Sequence, residues 1–313
     1  MSSHHVISID KLTKRFSNFV ALDSLSLDVG KGSCVGFLGP NGAGKSTTIK
    51  ILSGLIKPSS GSARISGFDV QKESRDALAT MGVIVETPYY YHNFTPRDIL
   101  SYFGKLRGIQ KSPLETQLRK VLNFVKLDEW SDNKIGTFSK GMRQRVAIAS
   151  ILLHDPDVII VDEVTSGLDP RGQIEVMRIF DDLKKQGKTI FMSSHNVREA
   201  QQLCDFVALI DKGVLLKYDK ISNIGSVSKN SRVSVEFFRL PDDFKSDSFE
   251  TLSNIVEYDV LGNSAVFTIR GGKKERAILL KELMGLGLMC SSFHPIGTDL
   301  ETLYMDMVNE SVR

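Results

Sequence analysis

Three hundred and thirteen residues exceed the roughly 100–200 usual for one domain, so a large domain with a smaller companion is expected. Hydrophobic residues at 41% and charged residues at 25% match an ordinary globular chain, which excludes wholesale disorder, a collagen-like repeat and a disulfide miniprotein. A net charge of +3 from 40 basic and 37 acidic residues is too mild to imply nucleic acid. The positive excess lies before Lys229, where it suits anionic ligands but equally fits scattered surface lysines.

Residues 5–85 read as short strands around one strong helix. VISID, LSLDV, SCVGFLG, ARISG and GVIVE are apolar, β-branched runs bounded by turn residues. GFLGPNGAGKSTTIKILSGL passes from strand to helical spacing at Ile49, Leu52 and Leu55, with Gly54 and Pro58 near its end. From Pro96 to Leu153 the pattern is helical, with segments near 96–107, 113–126 and 140–153, so a helical subdomain over about 87–155 is expected. The strand DVIIVDE follows, then a helix from Pro170 to Lys185, the strand KTIFMSS, a short helix from Asn196 and the strand DFVALID. Such alternation implies a parallel sheet covered on both faces. The polar stretch 221–231 reads as a linker. Beyond it the strands RVSVEFF and SAVFTIR, a helix from Lys273 and another over 299–308 imply a small α+β domain. The expected division is a domain over 1–222 and an accessory domain over 229–313.

The longest apolar stretches, 157–161 and 277–290, are too short or interrupted to cross a bilayer of roughly 20 helical residues. The first ten residues lack a secretion signal, and Cys34, Cys204 and Cys290 lack the spacing of a disulfide framework or zinc site, so a reduced, intracellular location is expected.

Gly39, Pro40, Asn41, Gly42, Ala43, Gly44, Lys45 and Ser46 satisfy GxxxxGK[ST] between a predicted strand and a predicted helix, the context the phosphate-binding loop requires. Glycines let backbone N–H groups curl around a β-phosphate, and the helix presents its positive end. Lys45 is then expected to neutralise the β and γ oxygens, Ser46 to bind Mg²⁺ and Thr47 to add a phosphate contact. The strand VIIVDE ends in two carboxylates at the carboxyl edge of the expected sheet. There Asp162 suits Mg²⁺ and Glu163 suits polarising the attacking water, and a carboxylate so placed needs a cation to balance it. His195 follows TIFMSS and is expected at the same edge, within reach of the γ-phosphate. Alone, the acids read as solvated and the histidine as structural; their order after the phosphate loop favours catalysis.

With GPNGAGKST, VIIVDE, FSKGMRQR at 138–145, SGLD at 166–169 and His195 in this order, residues 5–220 resemble the ATP-binding subunits of ABC transporters. The resemblance implies a P-loop NTPase of ABC type, an α/β fold with an antiparallel β subdomain and a helical subdomain, and an ATPase active as a head-to-tail pair of like chains. ATP would lie between one chain's phosphate loop and the other's signature, where Ser139 and the Gly141 backbone begin a helix. Phe16 in LTKRF occupies the position of the aromatic that stacks on adenine. Glu86 stands where most relatives have Gln, which puts a Mg²⁺ or water ligand and an extra negative charge near ATP. Phe138, Lys140 and Met142 replace the commoner Leu, Gly and Gln of the signature, and Val164 replaces the usual Pro after Glu163. None of these removes a reactive group. The resemblance is greatest to the drug and antibiotic export branch, implying separate transmembrane subunits, a site on the inner face of the membrane and no nucleic acid. The aromatics Tyr89, Tyr90, Tyr91 and Phe94 then read as exposed anchors for a membrane partner, or as packing of the helical subdomain. A soluble ABC-type ATPase acting on DNA or ribosomes is the alternative, disfavoured because neither heptads nor a second GKST is present.

Overall fold

A computed structural model describes residues 5–86, 89–224, 230–241 and 246–296, with Leu300 and Tyr304. The chain divides into two compact units, Met1–Tyr218 and Asp219–Arg313.

In the first unit, β1 (His5–Phe16) and β2 (Phe19–Gly30) form a long antiparallel hairpin that turns through Ser17, whose φ is 46°. After β3 (Cys34–Leu38) and α1 (Lys45–Leu52), β4 (Ser60–Ile65) and the short β5 (Phe68–Asp69) complete a sheet of order β2-β1-β4-β5. This is the expected antiparallel subdomain. A second sheet runs β10-β9-β3-β8-β7-β6, formed by β6 (Met81–Ile84), β7 (Val158–Asp162), β8 (Thr189–Ser194), β9 (Phe206–Asp211) and β10 (Val214–Lys220) around β3. The pairings β6–β7, β7–β8, β8–β3 and β3–β9 are parallel. Every residue of β3, β7 and β8 is buried, as the unbroken apolar runs require of strands covered on both faces. At about 1.5–3 kcal/mol for each fully buried aliphatic or aromatic side chain, these strands anchor the unit.

Helix α2 (Ser74–Thr80) precedes β6, and the helical subdomain is inserted between β6 and β7 as α3 (Pro96–Leu106), α4 (Lys111–Phe124) and α5 (Lys140–Leu152). Thr95 and Asp98 form a reciprocal capping box at the start of α3, with Pro96 in its first turn. Helices α6 (Pro170–Lys185) and α7 (Val197–Leu203) supply the two crossovers around β8. Leu55 does not join the apolar face of α1 as its spacing suggested. The helix stops at Leu52, Gly54 turns the chain at a φ of 73°, and Leu55 is 64% exposed.

The second unit holds a helical turn, α8 (Ile221–Ile224), and a sheet of order β12-β13-β11-β14. Its strands are β11 (Asn230–Phe237), β12 (Ile255–Leu261), β13 (Ser264–Arg270) and β14 (Cys290–Ile296), with α9 (Lys273–Gly285) supplying Leu279 and Leu283 to a core around Phe237, Phe249 and Phe267. The Phe249 ring meets Phe267 edge-on with centroids 4.9 Å apart. Apart from Leu300 and Tyr304, the helix expected over 299–308 lies outside the described residues. Among the described residues no helix is long and apolar enough to cross a membrane. Cys34, Cys204 and Cys290 are free thiols.

His154, just beyond α5, ties the helical subdomain to the sheet. Its Nε2 lies 3.1 Å from the Met81 carbonyl, which can only accept, so this nitrogen carries the proton, while the buried Nδ1 has no hydrogen-bond partner among the described residues. Burial, then the charge of Arg107, pushes the imidazole from its ordinary 6.5 down to about 4. Between those values the unfolded chain takes up a proton that the folded ring refuses, so stability falls as pH drops through this window. His154→Gln, which keeps an N–H for Met81, is expected to flatten the dependence of melting temperature on pH between 7 and 5.

Candidate functional site

Parallel register brings the candidate residues to one edge. Leu38, the last residue of β3, pairs with Ser194, and Asp162, the last of β7, pairs with Ser193. Gly39, Glu163 and His195 therefore leave the sheet side by side, at the carboxyl ends of its strands. This is the crevice in which open α/β sheets bind ligands.

The loop Gly39–Gly44 is shaped by two left-handed glycines, Gly42 at φ 83° and Gly44 at φ 106°. A Cβ on Gly44 would stand 2.7 Å from the Ala21 carbonyl oxygen, so β2 packs directly against the loop. Gly213 N–H donates to the Ala43 carbonyl at 3.0 Å and fixes the loop from a second side. Asn41 and Gly42 are exposed, Pro40 is half-buried, and Gly39 and Ala43 are buried. The first amides of α1 have no intrahelical acceptor, which aims a positive helix end out of the loop. Ser46 lies exposed in that first turn, with Thr47 half-buried beside it.

Lys45 is buried, and its Nζ donates to the Gly39 carbonyl at 2.7 Å and the Pro40 carbonyl at 3.2 Å. The same ammonium is 3.5 Å from Glu163 Oε1, while His195 Nδ1 is 3.3 Å from Glu163 Oε2. Glu163 thus bridges the loop lysine and the histidine. Its backbone takes the strained φ of 42°, held by N–H donation to Ser193 Oγ at 3.0 Å. Ser193 Oγ also donates to Asp162 Oδ1. Glu199, in the first turn of α7 and buried, accepts from Thr165 Oγ1 at 2.7 Å and Ser194 Oγ at 2.9 Å. It clamps the loop after Glu163 to the strand end before His195. Neither Ser193 nor Glu199 was read as functional from the sequence; the one available signal for Glu199 is its place four residues after His195.

The donors suit Mg²⁺. Ser46 and Asp162 offer hard oxygen at the loop's helix and at the strand end, and among the described residues no group of three or more His, Cys, Asp or Glu is arranged to hold a metal by itself. A cation bound by one carboxylate, a hydroxyl and phosphate oxygens fits such a site. Glu86 is placed otherwise. It follows β6 at a φ of 65° and accepts a hydrogen bond from Lys50 Nζ at 2.6 Å, which holds its carboxyl below the usual glutamate range. Lys50 lies one helical turn beyond Ser46, so the extra negative charge expected from Glu86 arrives already paired.

Phe16 ends β1 at the tip of the hairpin, 46% exposed, with Lys14 Nζ 4.7 Å from its ring centre. The strand after that tip is the one packed on Gly44. Ser139 caps α5, its Oγ accepting from Met142 N–H at 3.2 Å, with Gly141 buried in the first turn. Among the described residues, Ser139 and Gly141 share no hydrogen bond with the phosphate loop. Trp130, the only tryptophan, lines a hollow with Ser139, Gly141 and Arg145 and went unnoticed in the sequence. Of the aromatics after Glu86, Tyr89, Tyr91 and Phe94 are exposed. Tyr90 is not: it turns inward onto Ser150, and burial pushes its phenol upward.

The family model described as ABC transporter matches residues 22–166. The chain is 41% identical to the bacitracin transport ATP-binding protein of Bacillus licheniformis over 74% of each chain. It is 33% identical to the linearmycin resistance ATP-binding protein of Bacillus subtilis, over 70% of this chain and 72% of that one. A solved ATP-binding subunit of an ABC transporter superposes with a TM-score of 0.63 at 28% identity, over 70% of this chain and 91% of that one.

Alanine at Gly44 meets both an unfavourable φ and the Ala21 carbonyl, whereas alanine at Gly42 meets only the φ, with nothing within 4 Å of its Cβ. Gly42→Ala is expected to cost of order 1–3 kcal/mol and Gly44→Ala more, measured by urea unfolding.

Proposed function

The chain belongs to the ATP-binding subunits of ABC transporters, and from that premise we propose that two copies, or one copy and a close relative, close head to tail over ATP and Mg²⁺. The chain is an ATPase that serves transport. In the proposed pair each ATP sits on one subunit's phosphate loop and meets the Ser139 hydroxyl and the α5 N-terminus of the other. Glu163 held between Lys45 and His195 carries the reading.

Lys45 and the loop amides bind the β and γ oxygens. Ser46 and Asp162 hold Mg²⁺, which when bound neutralises phosphate charge. Glu163 accepts a proton from the attacking water as its oxygen bonds the γ phosphorus and the bond to the bridging oxygen breaks. His195 holds Glu163 through Nδ1 and turns the rest of its ring toward the γ-phosphate. Phe16 stacks on adenine, which needs only an aromatic face. Glu86, paired with Lys50, is the further candidate ligand for Mg²⁺ or its water. Hydrolysis removes the γ-phosphate that both subunits grip, so the closed pair loses the contact that distinguishes it from the open one.

Relatives named for bacitracin transport and for linearmycin resistance fit export as the direction, through separate transmembrane subunits at the inner face of the membrane. Tyr89, Tyr91 and Phe94 form the docking patch, since exposed aromatics are the residue type that anchors interfaces.

Glu163→Gln is expected to bind ATP, run as a dimer on size exclusion with ATP and Mg²⁺, and hydrolyse roughly 100-fold or more slowly, the loss typical of a missing general base. Turnover at the wild-type rate contradicts the assignment. Lys45→Ala is expected to weaken nucleotide binding by about tenfold or more, the scale of a lost charge-assisted hydrogen bond, as titration with a fluorescent ATP analogue reads directly.

A further inference from the structure

Lys140 is the second residue of the signature SKGM and the first of α5. A cation there opposes the positive end of its own helix and gains nothing from the helix dipole. The side chain leaves that end and donates to the Ser166 carbonyl at 2.9 Å. Ser166 lies in the loop between Glu163 and α6, and its N–H donates back to the Glu163 carbonyl at 2.9 Å. The next residue, Gly167, has φ 66°, and a Cβ on it would stand 2.5 Å from Lys140 Nζ. The loop leaves room for this ammonium at the one place where no side chain intervenes. On its other side the loop is held by Thr165 Oγ1 donating to Glu199, which also holds Ser194 beside His195.

We propose that Lys140 is a positioning residue for hydrolysis: it ties the signature helix to the loop that follows Glu163, so that the helix end gripping one nucleotide sets the placement of the glutamate serving the other. The proposal deepens the head-to-tail reading and rests on it. Among the described residues Lys140 makes no hydrogen bond with the phosphate loop or with Glu163; it acts through the Ser166 carbonyl, beside the separate hold of Thr165 on Glu199. A strained glutamate at φ 42° needs such outside support, because nothing in its own backbone preference holds it there. With the carbonyl released, Glu163 samples placements from which it cannot take the proton, while the nucleotide keeps every direct contact.

The test is steady-state ATPase kinetics of the full chain carrying Lys140→Met or Lys140→Arg, with melting temperature and hydrogen exchange at the amides of residues 164–168. Lys140→Met is expected to lower kcat roughly 10-fold, the scale of a small misplacement of a catalytic group, with KM for ATP within about twofold of wild type. Its loop amides exchange faster and its melting temperature barely moves, because the side chain is exposed. Lys140→Arg, which keeps an N–H in reach of the carbonyl, is expected to restore most of kcat. An unchanged kcat in Lys140→Met overturns the proposal. A raised KM at constant kcat overturns it too, since it makes Lys140 a nucleotide contact. Failure of Lys140→Arg to rescue while melting is unaltered also counts against the tether. Size exclusion of Glu163→Gln with ATP separates the two readings. If that variant pairs and Lys140→Met keeps full kcat, only the tether is wrong; if it never pairs, the head-to-tail premise has failed.

Discussion

Parallel register between β3, β7 and β8 is the constraint on which the site depends. Because Leu38 pairs with Ser194 and Asp162 with Ser193, the chain leaves three neighbouring strands at the same height. A one-residue slip of any of them would carry each side chain to the opposite, differently packed face and draw the polar residues just past its end into the core, so the hydrophobic core enforces their alignment. The Lys45–Glu163–His195 line is therefore a consequence of core packing. Ser193 and Glu199 add the fine adjustment, Ser193 reaching from β8 to the end of β7 and Glu199 holding the loop and the strand end beside it.

The site so formed is rich in groups for an anion and for a cation, but they lie on different elements. The glycine loop and the start of α1 face phosphate with main-chain amides and one ammonium. Asp162 and Glu163 supply negative charge for a metal and for a proton. The signature donors start another helix and share no hydrogen bond with the loop among the described residues. In the proposed head-to-tail pair a second copy supplies the other half, and nucleotide charge becomes the reason two like-charged chains come together.

Much of this was legible in the sequence because the decisive features are local. A glycine loop between strand and helix, a buried run ending in two acids and a capped signature helix each occupy a few consecutive residues, and the order of strands and helices set the parallel sheet. What escaped involves partners far apart in the chain. Nothing local indicates that Lys50 pairs with Glu86, that Tyr90 turns in to Ser150 while its neighbours face out, or that Glu199 holds two segments at once. The strands β12 and β14 escaped for another reason. Both lie at the edges of their sheet with one neighbour and few buried side chains, and Pro295 inside β14 reads as a strand breaker, although an edge is where a sheet accepts proline. Leu55 misled because helical spacing continued past the residue where Gly54 ends the helix.

The central claim, that each pocket is completed by the other subunit, is tested most directly by mixing two inactive chains, Lys45→Ala and Ser139→Arg, and measuring ATP hydrolysis. Each alone lacks one half of every pocket, whereas a mixed pair contains one pocket with both halves intact. The account predicts that activity absent from either chain returns on mixing and grows with the fraction of mixed pairs. Hydrolysis by the Ser139→Arg chain alone at the wild-type rate, or no recovery from mixtures shown to form pairs, would contradict it.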